Sequence, residues 1–180
     1  MQVFPDAWTP RVQSLMSRYP RMKLHTRVNF RFDAELYRSR RAASTAPTPE
    51  AVRVDESVFA RFGGSVVPLQ FWDGAEKFVR EGLGVTVMKD GEPASVAFSS
   101  WILGNELELG IETVERYRGQ GLAWAACVVL IEECLARGLT PVWSCRLGNV
   151  PSHRLAESLG FKSVCHLPYF ELPPRGADDA

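Results

Sequence analysis

Hydrophobic and polar residues alternate with a period of two in two separate stretches of the chain. In the first, Leu24, Thr26, Val28, Phe30 and Phe32 alternate with Lys23, His25, Arg27, Asn29 and Arg31. This predicts a strand with one apolar face and one polar, cationic face. Asp33 then caps a short helix ending near Ala43. In the second stretch, Glu106, Glu108, Gly110 and Glu112 alternate with Leu107, Leu109, Ile111 and Thr113. That strand is apolar on one side and lined with carboxylates on the other.

The segments around these strands carry their own signals. A capped helix is predicted from Asp55 to Phe62, stopped by Gly63-Gly64. Another runs from Asp73 to Glu81, with Asp73 as N-cap and Glu76 three residues on. Val85 to Met88 and Ala94 to Ile102 flank Lys89-Asp-Gly91, and Asp-Gly between β-prone runs marks a hairpin. After the carboxylate-lined strand, Arg116-Tyr-Arg-Gly-Gln-Gly121 opens a long apolar helix that Gly138 stops. Pro141 to Cys145 reads as a strand, Asn149 to Leu159 as a helix, and Phe161 to Leu172 as a last strand. The order predicts an α/β fold with a mixed, mostly antiparallel sheet and helices on both faces.

Residues 42–49, small and closed by Pro-Thr-Pro, read as a linker. The expected organisation is therefore a basic N-terminal extension over 1–45, a main domain over about 50–175, and a frayed tail at 176–180. Residues 1–50 hold nine basic and four acidic residues, and the remainder twelve and seventeen. The two parts thus carry +5 and −5. The arginine row of the extension suits a phosphate or an acidic partner, or simply a solvated face.

With a formal net charge of zero, a protein built mainly to coat nucleic acid or an anionic membrane is disfavoured. The longest apolar run, Leu122 to Ile131, is about half of the roughly 20 residues a membrane span needs. The N-terminus lacks a basic segment followed by an apolar one, so a cytoplasmic protein is expected. Cys127, Cys134, Cys145 and Cys165 share no paired spacing. Buried free thiols are expected rather than a metal site. Hydrophobic residues near both ends (Phe4, Trp8, Phe170) would allow a homodimer.

The glycine loop carries the clearest chemistry. Gly119 and Gly121 stand between a strand and a helix N-terminus, where backbone N–H groups lack intrahelical partners and favour an anion such as phosphate. Arg116 and Arg118 add charge beside them. A Rossmann turn would need a small residue where Trp124 stands, and no Walker sequence is present.

Arg116-Tyr-Arg-Gly-Gln-Gly-Leu-Ala123 resembles the R/Q-x-x-G-x-G/A motif of the GCN5-related N-acetyltransferases (GNAT), most closely the branch named for the zwittermicin A resistance acetyltransferase. Further likeness lies in Val67-Pro-Leu-Gln-Phe-Trp-Asp73, Phe98-Ser-Ser100, Glu108-Leu-Gly-Ile-Glu-Thr113, Pro141-Val-Trp-Ser-Cys145, and Ser152 through Leu159-Gly-Phe161. The resemblance covers about residues 55–172. It implies acetyl-CoA as cosubstrate, its pyrophosphate held by Arg116, Arg118, Gly119, Gln120, Gly121, Leu122 and Ala123. Thr113 and Val114 would pair with the pantetheine amide, with a backbone N–H near Val114 as oxyanion donor. Asn149 and Ser152 would meet the pantetheine arm or thiol. Many members place a Tyr seven residues after that Asn as general acid; here the position is Ala156, leaving Ser152, Tyr169 or water.

Acetyl transfer to an amine needs a proton removed from an ammonium, and a nearby carboxylate is a plausible base. Glu112, closest to the loop, leads and Glu108 follows, against the alternative of a solvated edge strand. Phe71 and Trp72 would wall an acceptor pocket or pack in the core. These expectations make an N-acetyltransferase acting on a primary amine, such as an antibiotic-like small molecule. The alternatives are a protein amine, the aminoacyl group of a charged tRNA, or a non-catalytic CoA-binding module.

Overall fold

Val28 and Phe30, apolar members of the first alternating stretch, are buried, and their strand is paired on both sides. The computed structural model describes residues 6–44 and 50–172. Helix α1 (Thr9–Leu15) precedes β1 (Lys23–Phe32) and α2 (Ala34–Ala43), and then come β2 (Ala51–Arg53), α3 (Glu56–Phe59) and α4 (Ala75–Glu81). Strands β3 (Gly84–Lys89), β4 (Glu92–Leu103) and β5 (Glu106–Thr113) lead to α5 (Leu122–Ala136), β6 (Thr140–Arg146), α6 (Val150–Ser158) and β7 (Phe161–Glu171). The sheet runs β2-β3-β4-β5-β6-β1-β7. Only β5 and β6 pair in parallel; the other neighbours are antiparallel. This is the mixed α/β architecture that the element order predicts.

Each face of the sheet has its own core. On one face α5 lays its apolar residues, among them Cys127, Leu130 and Ile131, against Val28, Phe30, Val85, Leu107, Leu109 and Trp143. Helices α2 and α6 add Tyr37 and Ala156 to that cluster. On the other face α3 and α4 bring Val58, Phe59 and Phe78 against Val96 and Phe98 of β4. Asp33 accepts a hydrogen bond from the Leu36 N–H and Asp55 one from Val58, both 2.9 Å, so these two caps form as the sequence indicates.

Several expectations change. The segment read as an extension supplies β1, hydrogen-bonded between β6 and β7 inside the one sheet. Two of its basic side chains, His25 and Arg27, find acidic partners on β7 and β5, so it is not an appendage. Gly74, at φ 139°, is the N-cap of α4, and Asp73 pairs instead with Lys77 one turn on at 2.7 Å. Cys127, Cys134 and Cys145 are buried, but Cys165 is exposed. It follows a register shift against Asn29 and Phe30 on β7, an end strand of the sheet. Phe170 is fully buried with Met22, Val12 and Met16, so it belongs to the chain's own core rather than to a dimer face. Helix α1 and the short β2 carry no sequence signal of their own. Phe4, the linker positions 45–49 and the tail 176–180 lie outside the described residues. Among the described residues no helix is long and apolar enough to cross a membrane.

Candidate active site

The site begins where two strands separate. β5 and β6 pair only at Glu106 with Thr140, Leu107 with Pro141 and Glu108 with Val142. Beyond Glu108, β5 stays bound to β4 and β6 to β1. The Val114 N–H donates to Ala94 O at 2.9 Å. The alternation of an antiparallel ladder then turns the N–H and C=O of Ile111 and Thr113 away from β4, toward the opening. Similarly, the Leu147 N–H donates to Thr26 O at 2.8 Å, which leaves the main-chain groups of Ser144 and Arg146 facing the same opening. A wedge edged by backbone donors and acceptors can take an extended, amide-bearing ligand. Thr113 edges this opening, with its N–H on Glu112 Oε1 and its C=O accepting from Arg118 Nε. The Val114 N–H does not, because Ala94 already holds it.

The glycine loop closes the wide end of this wedge. Gly119 and Gly121 have φ of 74° and 77°, and nothing lies within 4 Å of where a Cβ would stand on either. Both positions need the left-handed backbone that glycine adopts freely. Gly121 offers no side chain to cap α5, so the first N–H groups of that helix, from Leu122 and Ala123 onward, have no intrahelical acceptor. Open space, unpartnered donors and the positive end of a helix make a cradle whose chemistry fits a diphosphate.

The hairpin clamps the loop. Gln120 donates from Nε2 to Arg116 O at 3.3 Å and accepts from Lys89 Nζ. Arg116 pairs with Glu92 and lies 4.8 Å from the centre of the Tyr117 ring, with Lys89 at 5.8 Å from the same ring. Lys89 is a cation at the loop that the sequence reading missed. Its place in the hairpin turn marks it as a turn residue, and only the folded sheet brings it to Gln120.

Register puts the acid row beside aromatics. Glu112 pairs with Val96, Gly110 with Phe98, and Glu108 with Trp101, all on the face opposite α5. A Cβ on Gly110 would stand 2.4 Å from Phe98 Cζ, so the missing side chain is what lets the Phe98 ring lie across β5. The Glu108 carboxylate receives Arg27 Nη2 at 2.8 Å, the Ser144 hydroxyl and the Trp101 indole N–H. With its side chain 14% exposed, three of its about four acceptor sites are occupied. Glu112 is held less tightly, its Oε1 accepting from Arg118 Nη2 and from the Thr113 N–H, each at 3.3 Å, while Arg118 Nε donates to Thr113 O at 3.2 Å. A cavity of about 580 Å³ opens beside Glu112, between Arg61 and Ser65 on one side and Val114 and Arg118 on the other.

Across the wedge, Asn149 caps α6 by accepting from the Ser152 N–H at 3.3 Å. The Ser152 hydroxyl accepts from the Trp143 indole N–H at 3.2 Å. Burial pushes the Cys145 thiol above its ordinary value, offset in part by the Ser152 hydroxyl and by Arg27. Ala156 is fully buried. Tyr169 pairs with His25 on β1, so two strands separate it from the wedge, and Arg146 stacks on its ring at 5.6 Å. That position takes Tyr169 away from any leaving group in the opening and leaves Ser152 nearer to it. Trp72 donates from Nε1 to Ser99 O at 2.7 Å and packs with the second core. Phe71 is 47% exposed and stacks on Phe98 with ring centres 5.6 Å apart.

The central parallel pair of the sheet opens onto a glycine loop, and comparisons with known proteins place this architecture. The chain belongs to the GNAT acetyltransferase family, which matches residues 21–170. It is 32% identical over 114 residues to the uncharacterized N-acetyltransferase YdfB of Bacillus subtilis (strain 168), a match covering 62% of this chain and 44% of that protein. The chain thus matches less than half the length of this curated relative. A GCN5-related N-acetyltransferase-like protein from Streptococcus suis 89/1591 shares the fold with a TM-score of 0.75 at 24% identity, over 92% of this chain and 68% of that one. AAC(6')-Iy, solved with the bisubstrate analogue CoA-S-monomethyl-acetylneamine, shares it at 0.51 and 16% identity, over 63% of this chain and 90% of that one.

Proposed function

We propose that the chain transfers an acetyl group from acetyl-CoA to the primary amine of a small molecule, by direct attack with Glu112 as general base. The carrying observation is the wedge between β5 and β6 that ends on the cradle at Gly119 and Gly121. Acetyl-CoA, when bound, supplies an activated acyl group as a thioester. The N–H groups from Gly119 to Ala123 hold its diphosphate, with Arg116, Arg118 and Gln120 around it. Ile111 offers main-chain groups to the pantetheine amides, Thr113 does so once Glu112 and Arg118 release its N–H and C=O, and Asn149 and Ser152 border the arm from α6.

In the reaction a C–N bond forms and the C–S bond breaks. Glu112 takes the ammonium proton, since Glu108 is mostly enclosed and already accepts from Arg27, Ser144 and Trp101. The Ile111 N–H serves the oxyanion, because that of Val114 is held by Ala94 O and that of Thr113 by Glu112 Oε1. The Ser152 hydroxyl is the protein proton donor nearest the departing thiolate. Cys145 stays a thiol, its charged form disfavoured by burial. Likeness to the zwittermicin A resistance branch supports a small-molecule acceptor, as does the fold shared with AAC(6')-Iy.

The test is calorimetric titration of acetyl-CoA into the wild type and Gly121→Glu. Micromolar binding that the new carboxylate abolishes supports the reading. A folded wild type that does not bind acetyl-CoA rejects it.

A further inference from the structure

We infer that the acceptor carries a single cationic amine on an apolar, ring-bearing body; this rests on the acetyltransferase reading and narrows it. Charge comes first. Three carboxylates line one face of β5, which by pattern alone suits a polycation. Folding removes that match. Glu108 is three-quarters enclosed or more, at 14% exposure, and its charge is met by Arg27. The cavity beside Glu112 is balanced, with Arg61, Arg116 and Arg118 against Glu92, Glu112 and Glu115. Of the carboxylates on the inner part of the strand, only Glu112 has a weakly held partner. That partner, Arg118, has a side chain 61% exposed and a contact of 3.3 Å, and it stands next to the diphosphate cradle. One amine therefore finds one carboxylate, and within this cavity a second cationic group finds no surplus negative charge.

The neighbouring surface is aromatic. Phe98 lies across Gly110, between Glu108 and Glu112, and Phe71 stacks on it from the solvent side while remaining 47% exposed. Trp101, 37% exposed, stands at the Glu108 end with its indole N–H fixed on that carboxylate. An exposed phenylalanine and tryptophan on one face, beside a carboxylate, offer stacking and cation–π contact to an amine with a flat apolar body. The packing also explains why Phe71, rather than Trp72, is the specificity residue: Trp72 is spent on Ser99 and the core.

The experiment follows thiol release from acetyl-CoA with 2-phenylethylamine, propylamine, spermine and neamine, together with calorimetric binding of the same amines to the CoA-loaded protein. The expected result is a kcat/KM for 2-phenylethylamine at least about tenfold above that for each of the other three, the scale of one good apolar contact in a pocket. Phe71→Ala raises its KM by about tenfold and removes the preference over propylamine, whereas Phe71→Trp keeps it. Preference for spermine or neamine overturns the inference, and so does equal handling of 2-phenylethylamine and propylamine. If the protein binds acetyl-CoA but neither binds nor acetylates 2-phenylethylamine, the inference fails and the cofactor reading stands. Failure to bind acetyl-CoA defeats the reading beneath it.

Discussion

The Arg27 guanidinium on β1 reaches past β6 to the Glu108 carboxylate on β5, with Nη2 2.8 Å from Oε1. The Ser144 hydroxyl stands between them and touches both. The ion pair thus ties β1 to β5 across β6, and Ser144 brings β6 into the same contact at the start of the wedge. Removing the arginine strands a mostly enclosed carboxylate, which costs more than an exposed pair is worth but less than a fully buried one. Arg27→Met is expected to lower unfolding free energy by about 1–2 kcal/mol, read from urea denaturation. Adding Glu108→Gln should recover much of that loss. Additive losses in the double variant would show that the two side chains do not act as a pair.

Arg118 touches both the Glu112 carboxylate and the Thr113 carbonyl, and the phosphate cradle begins one residue later. A carboxylate and a phosphate then compete for one guanidinium. Glu112→Gln should tighten CoA binding by up to about fivefold, the worth of an exposed ion pair, while kcat falls by about 10²–10⁴ as a general base is lost. In an Arg118→Ala background the same substitution should leave CoA affinity nearly unchanged. Equal tightening in both backgrounds would mean that Glu112 acts by plain charge repulsion.

Gly110 is required by the Phe98 ring, not by its own backbone angles. Gly110→Ala should destabilise the fold by about 1–3 kcal/mol through overpacking, seen as a lower thermal midpoint. Phe98→Leu in the same chain should return part of it. An unchanged midpoint in Gly110→Ala would show that the ring moves aside freely.

Asp33 is held below the usual carboxylate range by the Leu36 N–H and then by the Lys162 ammonium. A depressed folded value means that the folded state resists protonation. Its stabilising contribution is therefore complete above a pH of about 4 and disappears as pH falls through the lowered value. The urea midpoint of Asp33→Asn should lie below that of the wild type at pH 7, and the two should converge toward pH 2. A gap that widens in acid would reverse the assigned sign.

Much of this was legible before folding. Both alternating strands, the hairpin, the glycine loop and α5 fall where periodicity and turn residues put them, because those signals are local. What periodicity does not carry is which strand lies next to which. The pattern at 23–32 identifies an apolar and a cationic face, but not that the strand lies between β6 and β7. Arg27 was therefore readable as a cation seeking an acidic partner, while that partner, Glu108, was not. The same limit applies to Glu108 itself. Its place in the acid row suggested a base, and only the arrival of Arg27, Ser144 and Trp101 from other strands shows it enclosed and already paired. At α4, Asp73 offered a cap by its chemistry, and the backbone at Gly74 took the position instead. Lys89 and Phe71 owe their places at the site to sheet register and to a stack on Phe98, which no local window contains.

The position of β1 also sets an order of events during synthesis. This strand leaves the ribosome well before both of its neighbours; His25 and Glu171, in contact across β1 and β7, lie 146 positions apart. Contacts so distant in sequence form late and slowly. Until β6 and β7 emerge, β1 has two unpaired edges and an uncovered apolar row, the state most open to wrong pairing. The wedge cannot take its shape before then either, because β6 is held open by β1. A nascent chain that has already made the glycine loop and α5 is thus still without a cosubstrate cleft, and the site comes into being only with the final strands.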